Sequence, residues 1–205
     1  MKKIIVGLIL GTIVLNGFGQ TLKYRHILDN GGVSLMTESQ PFPVRGSLTL
    51  EYAIGYESKQ SEYDPEGYVL YVYFNTEDKD LYIPPKGRLL IKTVGEEVLQ
   101  LEDNGEDPFL EYSVEYDLAH NAYRSDSYYD SSKGKWLYRV QGKFPVPKKD
   151  LEKMLEKGII KIRIQTTRDA IQCEYNEAQG SGVKKLLLSH LGVVLAHYTP
   201  YEIVF

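Results

Sequence analysis

Residues 47–57 read SLTLEYAIGYE, and the pattern of that stretch decides the fold class. Leu48, Leu50, Tyr52, Ile54 and Tyr56 occupy every second position, with Ser47, Thr49, Glu51 and Glu57 on the other side. Successive strand side chains point to opposite faces, so the spacing describes a strand with one dry and one wet face. Three further segments repeat it. In 109–117, Leu110, Tyr112, Val114 and Tyr116 oppose Glu111, Ser113 and Glu115. In 136–144, Trp136, Tyr138, Val140 and Phe144 oppose Arg139, Gln141 and Lys143. In 159–166, Ile160, Ile162 and Ile164 oppose Lys161, Arg163 and Gln165. Sheets that tolerate water on one side are antiparallel.

Working outward, 68–74 (YVLYVYF) is apolar or aromatic on both sides and reads as a central strand. Segments 88–93 and 98–101 flank Val94-Gly95-Glu96-Glu97, a hairpin with Gly95 in its turn. Weaker strand patterns occupy 22–28, 33–37 and 171–175, and 201–205 (YEIVF) reads as a closing strand. Turn residues separate these runs at 30–32, 64–67, 84–87 and 103–105. Two helices are expected. The first, over 148–157, has Pro147 at its start, Asp150 early and Gly158 past its end. The second, over 183–198, aligns Val183, Leu187, Leu191, Val194 and Tyr198, although Gly192 and Val193-Val194 also suit a short hairpin. The pattern predicts a mainly β, α+β domain: an antiparallel β-sandwich with two helices packed on a face or end, with a closed β-barrel as the alternative.

The first twenty residues, MKKIIVGLILGTIVLNGFGQ, have a different character. Lys2 and Lys3, an uncharged run from Ile4 to Leu15, and Gly17 and Gly19 before Gln20 form the pattern of a secretory signal peptide. The apolar run spans only about 18 Å as a helix, short of a ~30 Å hydrocarbon core, so cleavage is expected rather than anchoring. Residues 1–19 are read as the leader and 20–205 as a single β-rich domain. The cut removes two lysines and no acid, moving the net charge from −4 to −6. No Cys follows the cut to carry a lipid, so the product is expected to be soluble and exported, periplasmic or extracellular, and not a lipoprotein. No later segment reaches a spanning length.

An acidic balance argues against a phosphate-tracking nucleic-acid binder. The single Cys, Cys173, excludes an internal disulfide and a multi-cysteine zinc site. It shares a face with Ile171 and Tyr175, so a buried, inert thiol is expected rather than a nucleophile. His190 and His197 lie about 10.5 Å apart along a helix, too far to ligate one metal together. The acidic run 102–107 (EDNGED) lacks the ligand order of a calcium loop and reads as a solvated turn. No nucleophile elbow, zinc-helix motif, phosphate loop or dinucleotide fingerprint is present, and the sequence points to no cofactor and no metal.

Tyrosine is the compositional oddity, 17 against 6 Phe and 1 Trp. Tyr52, Tyr56, Tyr112, Tyr116, Tyr138 and Trp136 fall on apolar strand sides and are expected in the core. The connection 118–135, LAHNAYRSDSYYDSSKGK, is longer than hairpin loops need, and it holds His120, Tyr123, Arg124, Tyr128 and Tyr129. Those residues are the candidate binding site, with 58–67 as a neighbouring segment, because long loops on rigid sheets favour recognition.

Residues 88–101 (RLLIKTVGEEVLQL) and 150–167 (DLEKMLEKGIIKIRIQTT), behind a leader ending Gly-Gln, resemble small exported proteins of Bacteroidetes type. The resemblance spans the central half of the chain and rests on a hairpin, then a helix running into a strand. It implies a β-rich fold and an exported location, and it supplies no catalytic residues. The functional expectation is a non-enzymatic exported module that binds an extracytoplasmic protein or glycan. A glycan- or peptide-acting hydrolase and a structural envelope component are the alternatives.

Overall fold

In the computed structural model the described residues are 21–27, 32–42, 50–58, 67–78, 80–104, 125–130 and 135–198, with 125–130 and 135–137 described by their backbone. The expected signal peptide, the strands expected at 109–117 and 201–205, and residues 118–124 lie outside them.

The strands are β1 (Leu22–Ile27), β2 (Val33–Thr37), β3 (Gln40–Pro41), β4 (Leu50–Glu57), β5 (Gly67–Thr76), β6 (Arg88–Thr93), β7 (Val98–Glu102), β8 (Ser125–Asp130), β9 (Lys135–Val146), β10 (Ile159–Ile164) and β11 (Ile171–Glu174). The helices are α1 (Lys148–Lys157) and α2 (Glu177–Tyr198). One sheet runs β1-β2-β4-β5-β9-β8, with the short β3 also paired to β4; the other runs β11-β10-β6-β7. Every pairing is antiparallel. Neither sheet closes into a barrel among the described residues, so the sandwich is the architecture.

The core lies between the sheets. Leu50, Tyr52, Ile54 and Tyr56 of β4 and Leu70, Val72 and Phe74 of β5 meet Leu89, Ile91, Leu99 and Leu101 of the smaller sheet. Leu151 and Met154 of α1 and Val183, Leu187, Leu191 and Val194 of α2 complete it. α2 packs against β2, β4, β10 and α1. The alternation in β4 thus does what the sequence implied on its inner face. The outer face is not wet as expected: Ala53 and Gly55 are buried too, in a second layer with Met36, Val69, Tyr71 and Tyr73. Gly55 is required there, because a Cβ would stand 2.7 Å from the Leu35 carbonyl and 2.9 Å from the Tyr71 ring.

Three elements depart from the sequence reading. In β10 the register shifts between Ile159 and Lys161, so Ile159 enters the core in place of Ile160. A bulge adds one residue to one strand and flips the alternation beyond it. α2 is a helix, not a hairpin, and it begins six residues earlier than Val183. Asn176 Oδ1 accepts from the Gln179 N–H at 2.9 Å, and Gln179 Oε1 accepts from the Asn176 N–H at 3.0 Å, a reciprocal cap. Gly180-Ser181-Gly182 therefore lies within the first turns. The third departure is the 118–135 connection, part of which is β8, paired to β9 with Tyr128 opposite Leu137 and Tyr129 opposite Trp136. A polar run such as SDSYYD suits an edge strand, where composition is a weak guide because pairing to a neighbour decides the conformation.

The 94–97 turn has Gly95 at φ 96° and Glu96 at φ 70°, and Thr93 N donates to Glu97 O at 2.9 Å. Glu97 is then gripped by α1: its carboxylate accepts from Lys153 Nζ at 2.5 Å and Lys157 Nζ at 2.8 Å. Those two lysines hold the carboxyl well below the usual range, at about 2. α1 starts after Pro147, carries Asp150 in its first turn and Lys157 in its last, and stops at Gly158, whose φ is 83°. No helix among the described residues is long and apolar enough to cross a membrane.

Candidate functional site

The outer face of the larger sheet collects the residues that alternate away from the core: Glu51 and Glu57 of β4, Tyr71 and Tyr73 of β5, and Arg139, Gln141 and Lys143 of β9. Register brings them together, with Tyr73 opposite both Glu51 and Gln141 and Tyr71 opposite Lys143. Residues directly opposite on antiparallel strands share a face and touch.

Two charged clusters result. Arg139 donates to Glu51 Oε2 at 2.7 Å and to Ser39 Oγ at 3.2 Å, and Ser39 Oγ donates to the same carboxylate oxygen at 2.8 Å. The guanidinium also lies 4.7 Å from the centre of the Tyr73 ring, a cation–π contact of order 0.5–2 kcal/mol. The second cluster joins Lys143 Nζ to Glu57 Oε2 at 2.9 Å, while Tyr71 OH donates to Glu57 Oε1 at 2.9 Å. Tyr24 stands within hydrogen-bonding reach of Tyr71 and Ser34. Burial pushes the phenol groups of Tyr24, Tyr71 and Tyr73 upward, so all three stay protonated.

At the end of this face a pocket of about 210 Å³ is lined by Glu57, Gly67, Tyr68, Val69, Pro145, Val146 and Pro147. Its lining residues are apolar except for Glu57 and Tyr68. Strand pairing forms it: Tyr68 faces Val146 and Val69 faces Pro145, where β9 runs out into Pro147 ahead of α1. The edge of β9 is closed nearby, as Asp103 Oδ1 accepts from Lys143 N at 2.8 Å and Asn104 N donates to Lys143 O at 3.2 Å. The start of the acidic run thus covers a strand edge.

Chemically the face is a fixed array of donors and acceptors beside an apolar recess. Its two β4 carboxylates do not have the spacing of a glycosidase pair. Glu51 and Glu57 are six residues apart on one strand, about 20 Å, whereas glycosidase carboxyls stand about 5–10 Å apart. Among the described residues no three His, Cys, Asp or Glu side chains are grouped to hold a metal.

Of the sequence candidates, Tyr128 and Tyr129 occupy β8, beside the strand that carries Arg139 and Lys143. His120, Tyr123 and Arg124 lie outside the described residues. Cys173 is buried as expected, and burial raises its thiol. The residues that sequence reasoning passed over are Arg139, Lys143, Glu51 and Glu57, which looked like solvated positions opposite greasy ones. The signal for them was the all-apolar β5, which needs a second covered face. The chain matches no family model, no curated protein and no solved structure.

Proposed function

We propose that this chain is an exported, non-catalytic binding module that receives a polypeptide partner at the outer face of its larger sheet. One observation carries the reading: a preorganised set of ion pairs on buried tyrosines runs up to an apolar pocket of about 210 Å³. That volume is below the roughly 300–1,000 Å³ of small-molecule sites and suits one inserted side chain of a larger partner. Binding energy in protein interfaces concentrates in such anchor pockets. A glycan needs several polar side chains inside its recess, and among the lining residues only Glu57 and Tyr68 carry polar side-chain groups.

Export rests on the leader pattern of residues 1–19 and on the resemblance to exported proteins of Bacteroidetes type. His120, Tyr123, Arg124, Tyr128 and Tyr129 are proposed to extend the same surface, supported by the pairing of β8 with β9. The test places a photo-crosslinking phenylalanine analogue at Pro147, and at the exposed Arg163 of β10 as control, in cells of the source type. A discrete polypeptide adduct from position 147 alone supports the reading. No adduct, equal adducts from both positions, or an adduct that stains as polysaccharide overturns it. Sequencing of the exported form from Gln20 tests the leader.

A further inference from the structure

Among the described residues Ile27 is the most exposed large hydrophobic side chain, at 65%. It ends β1, which is one edge of the larger sheet among those residues. An apolar residue on a sheet edge invites a further strand, because the edge presents backbone groups to any chain that comes alongside. Ile27 shares a face with Arg25, two residues before it. Arg25 Nε donates to the carbonyl of His197 at 3.0 Å, so this face looks toward the end of α2.

Two contacts give the direction of that helix relative to β1. His190 meets Thr37, which lies opposite Leu22, and His197 meets Arg25. α2 therefore advances in the same sense as β1 and leaves the sheet at its Ile27 end. The residues that follow in sequence, 199–205, read TPYEIVF and lie outside the described residues. Pro200 cannot continue a helix, and Tyr201, Ile203 and Phe205 alternate with Glu202 and Val204. Seven residues reach at most about 25 Å. The other sheet edges are out of range. β11 precedes the start of α2, which is 22 residues or about 33 Å long. β8 lies five strand spacings from β1, about 24 Å, which leaves no chain to pair. β7 runs out beside β9, where Asn104 N donates to Lys143 O.

We infer that the edge of β1 is a docking surface for residues 201–205 of the same chain, which add to it as an antiparallel strand and set Tyr201, Ile203 and Phe205 on the α2 side, over Ile27. Charge supports this occupant. β1 carries Lys23 and Arg25 and no carboxylate, whereas Glu202 is the only charged side chain in 201–205. Opposite charges on neighbouring strands attract and like charges repel. A second copy pairing its own β1 here would set Lys and Arg against Lys and Arg, so the segment of the same chain is the better match. The docking closes one edge of the larger sheet and stands independently of the function proposed for its outer face.

The experiment uses the full chain with a photo-crosslinking phenylalanine analogue at Ile203, and maps the adducts by proteolysis and mass spectrometry. The docking predicts an intramolecular adduct within 22–27, in the same yield at every protein concentration. A second measurement follows amide hydrogen exchange in the wild type and in Ile203→Pro, since proline cannot donate to a strand pairing. Exchange within 22–27 should rise at least tenfold in the variant, with β5 as slow as before. Adducts to β8 or β11, a crosslinked dimer whose yield grows with concentration, or no adduct overturns the proposal. Unchanged exchange in 22–27 does the same. Should β5 also lose protection, the variant has unfolded and the adduct map alone decides.

Discussion

Thr37 Oγ1 and His190 Nδ1 are 2.6 Å apart, joining the second strand to the last helix across 153 positions of sequence in a fully buried contact. Thr37 also accepts from Ile54 N and lies 3.1 Å from Ile54 O, so one hydroxyl ties β2, β4 and α2 together. Its single proton goes either to Ile54 O or to His190 Nδ1. In the first case the imidazole carries its proton on Nδ1, in the second on Nε2, and among the described residues Nε2 has no hydrogen-bond partner.

Burial of this imidazole makes stability fall in mild acid. Burial lowers His190 from its ordinary 6.5 to about 4. Between those values the unfolded chain binds a proton that the folded chain refuses. The contribution is therefore complete above pH 6.5 and is lost as pH falls to about 4, reaching about 3 kcal/mol there. At pH 5 the loss is about 2 kcal/mol. Urea unfolding at pH 7, 6 and 5 measures it, and His190→Leu should flatten the slope over that range. An unchanged slope in the variant would refute the assignment to His190.

Lys143 and Glu57 give a second expectation. The Lys143 side chain is 9% exposed and that of Glu57 20%, so the pair is largely out of water. Removing one partner of a buried pair strands the other, at about 3–5 kcal/mol, while removing both is far milder. Lys143→Met should destabilise by about 3 kcal/mol. Adding Glu57→Gln should recover at least half of that, because the amide still accepts from Tyr71 OH. A double-mutant cycle by chemical denaturation reads the coupling, and additive effects would show that the pair is effectively solvated.

The architecture was legible wherever periodicity was carried by the core. The central β5, the hairpin at Val94–Glu97 and the buried Cys173 followed from side-chain pattern alone, since burial on one or both faces is what selects those residues. The β10 bulge was not legible, because Ile159 and Ile160 are both isoleucine and either satisfies the pattern. The early start of α2 was hidden by two glycines that propensity assigns to a loop; the cap between Asn176 and Gln179 was the local sign. The outer face escaped for a different reason. Arg139, Lys143, Glu51 and Glu57 come from β4 and β9, far apart in sequence, and only strand register pairs them.

Cys173 offers a check on the interior itself. Its thiol is buried on β11 beside Tyr175, and burial raises it above the ordinary thiol value, which keeps the reactive thiolate scarce. A thiol reagent at pH 8 should leave the native protein unmodified for hours and label it stoichiometrically in 6 M urea. Rapid native labelling, read by mass spectrometry, would place the sulfur outside the core.

Gly180 sets two opposing effects against each other. It lies in the first turns of α2, where alanine is favoured over glycine by about 1 kcal/mol. Read from helix propensity alone, Gly180→Ala stabilises. In the fold, however, a Cβ at this position stands 2.7 Å from the carbonyl oxygen of Ile159. That oxygen is backbone at the bulged start of β10, so it cannot swing aside as a side chain would. Relief requires α2 to move off β10, loosening Val183 and Leu187 against the core. Disturbing tightly packed core contacts costs about 1–3 kcal/mol, so collision outweighs propensity and the variant should lose about 1–2 kcal/mol. Gly182→Ala is the matched control, since nothing lies within 4 Å of a Cβ there, and it should gain several tenths of a kcal/mol. Opposite signs for the two substitutions in thermal unfolding establish the close approach of α2 to β10, whereas a gain for both would remove it.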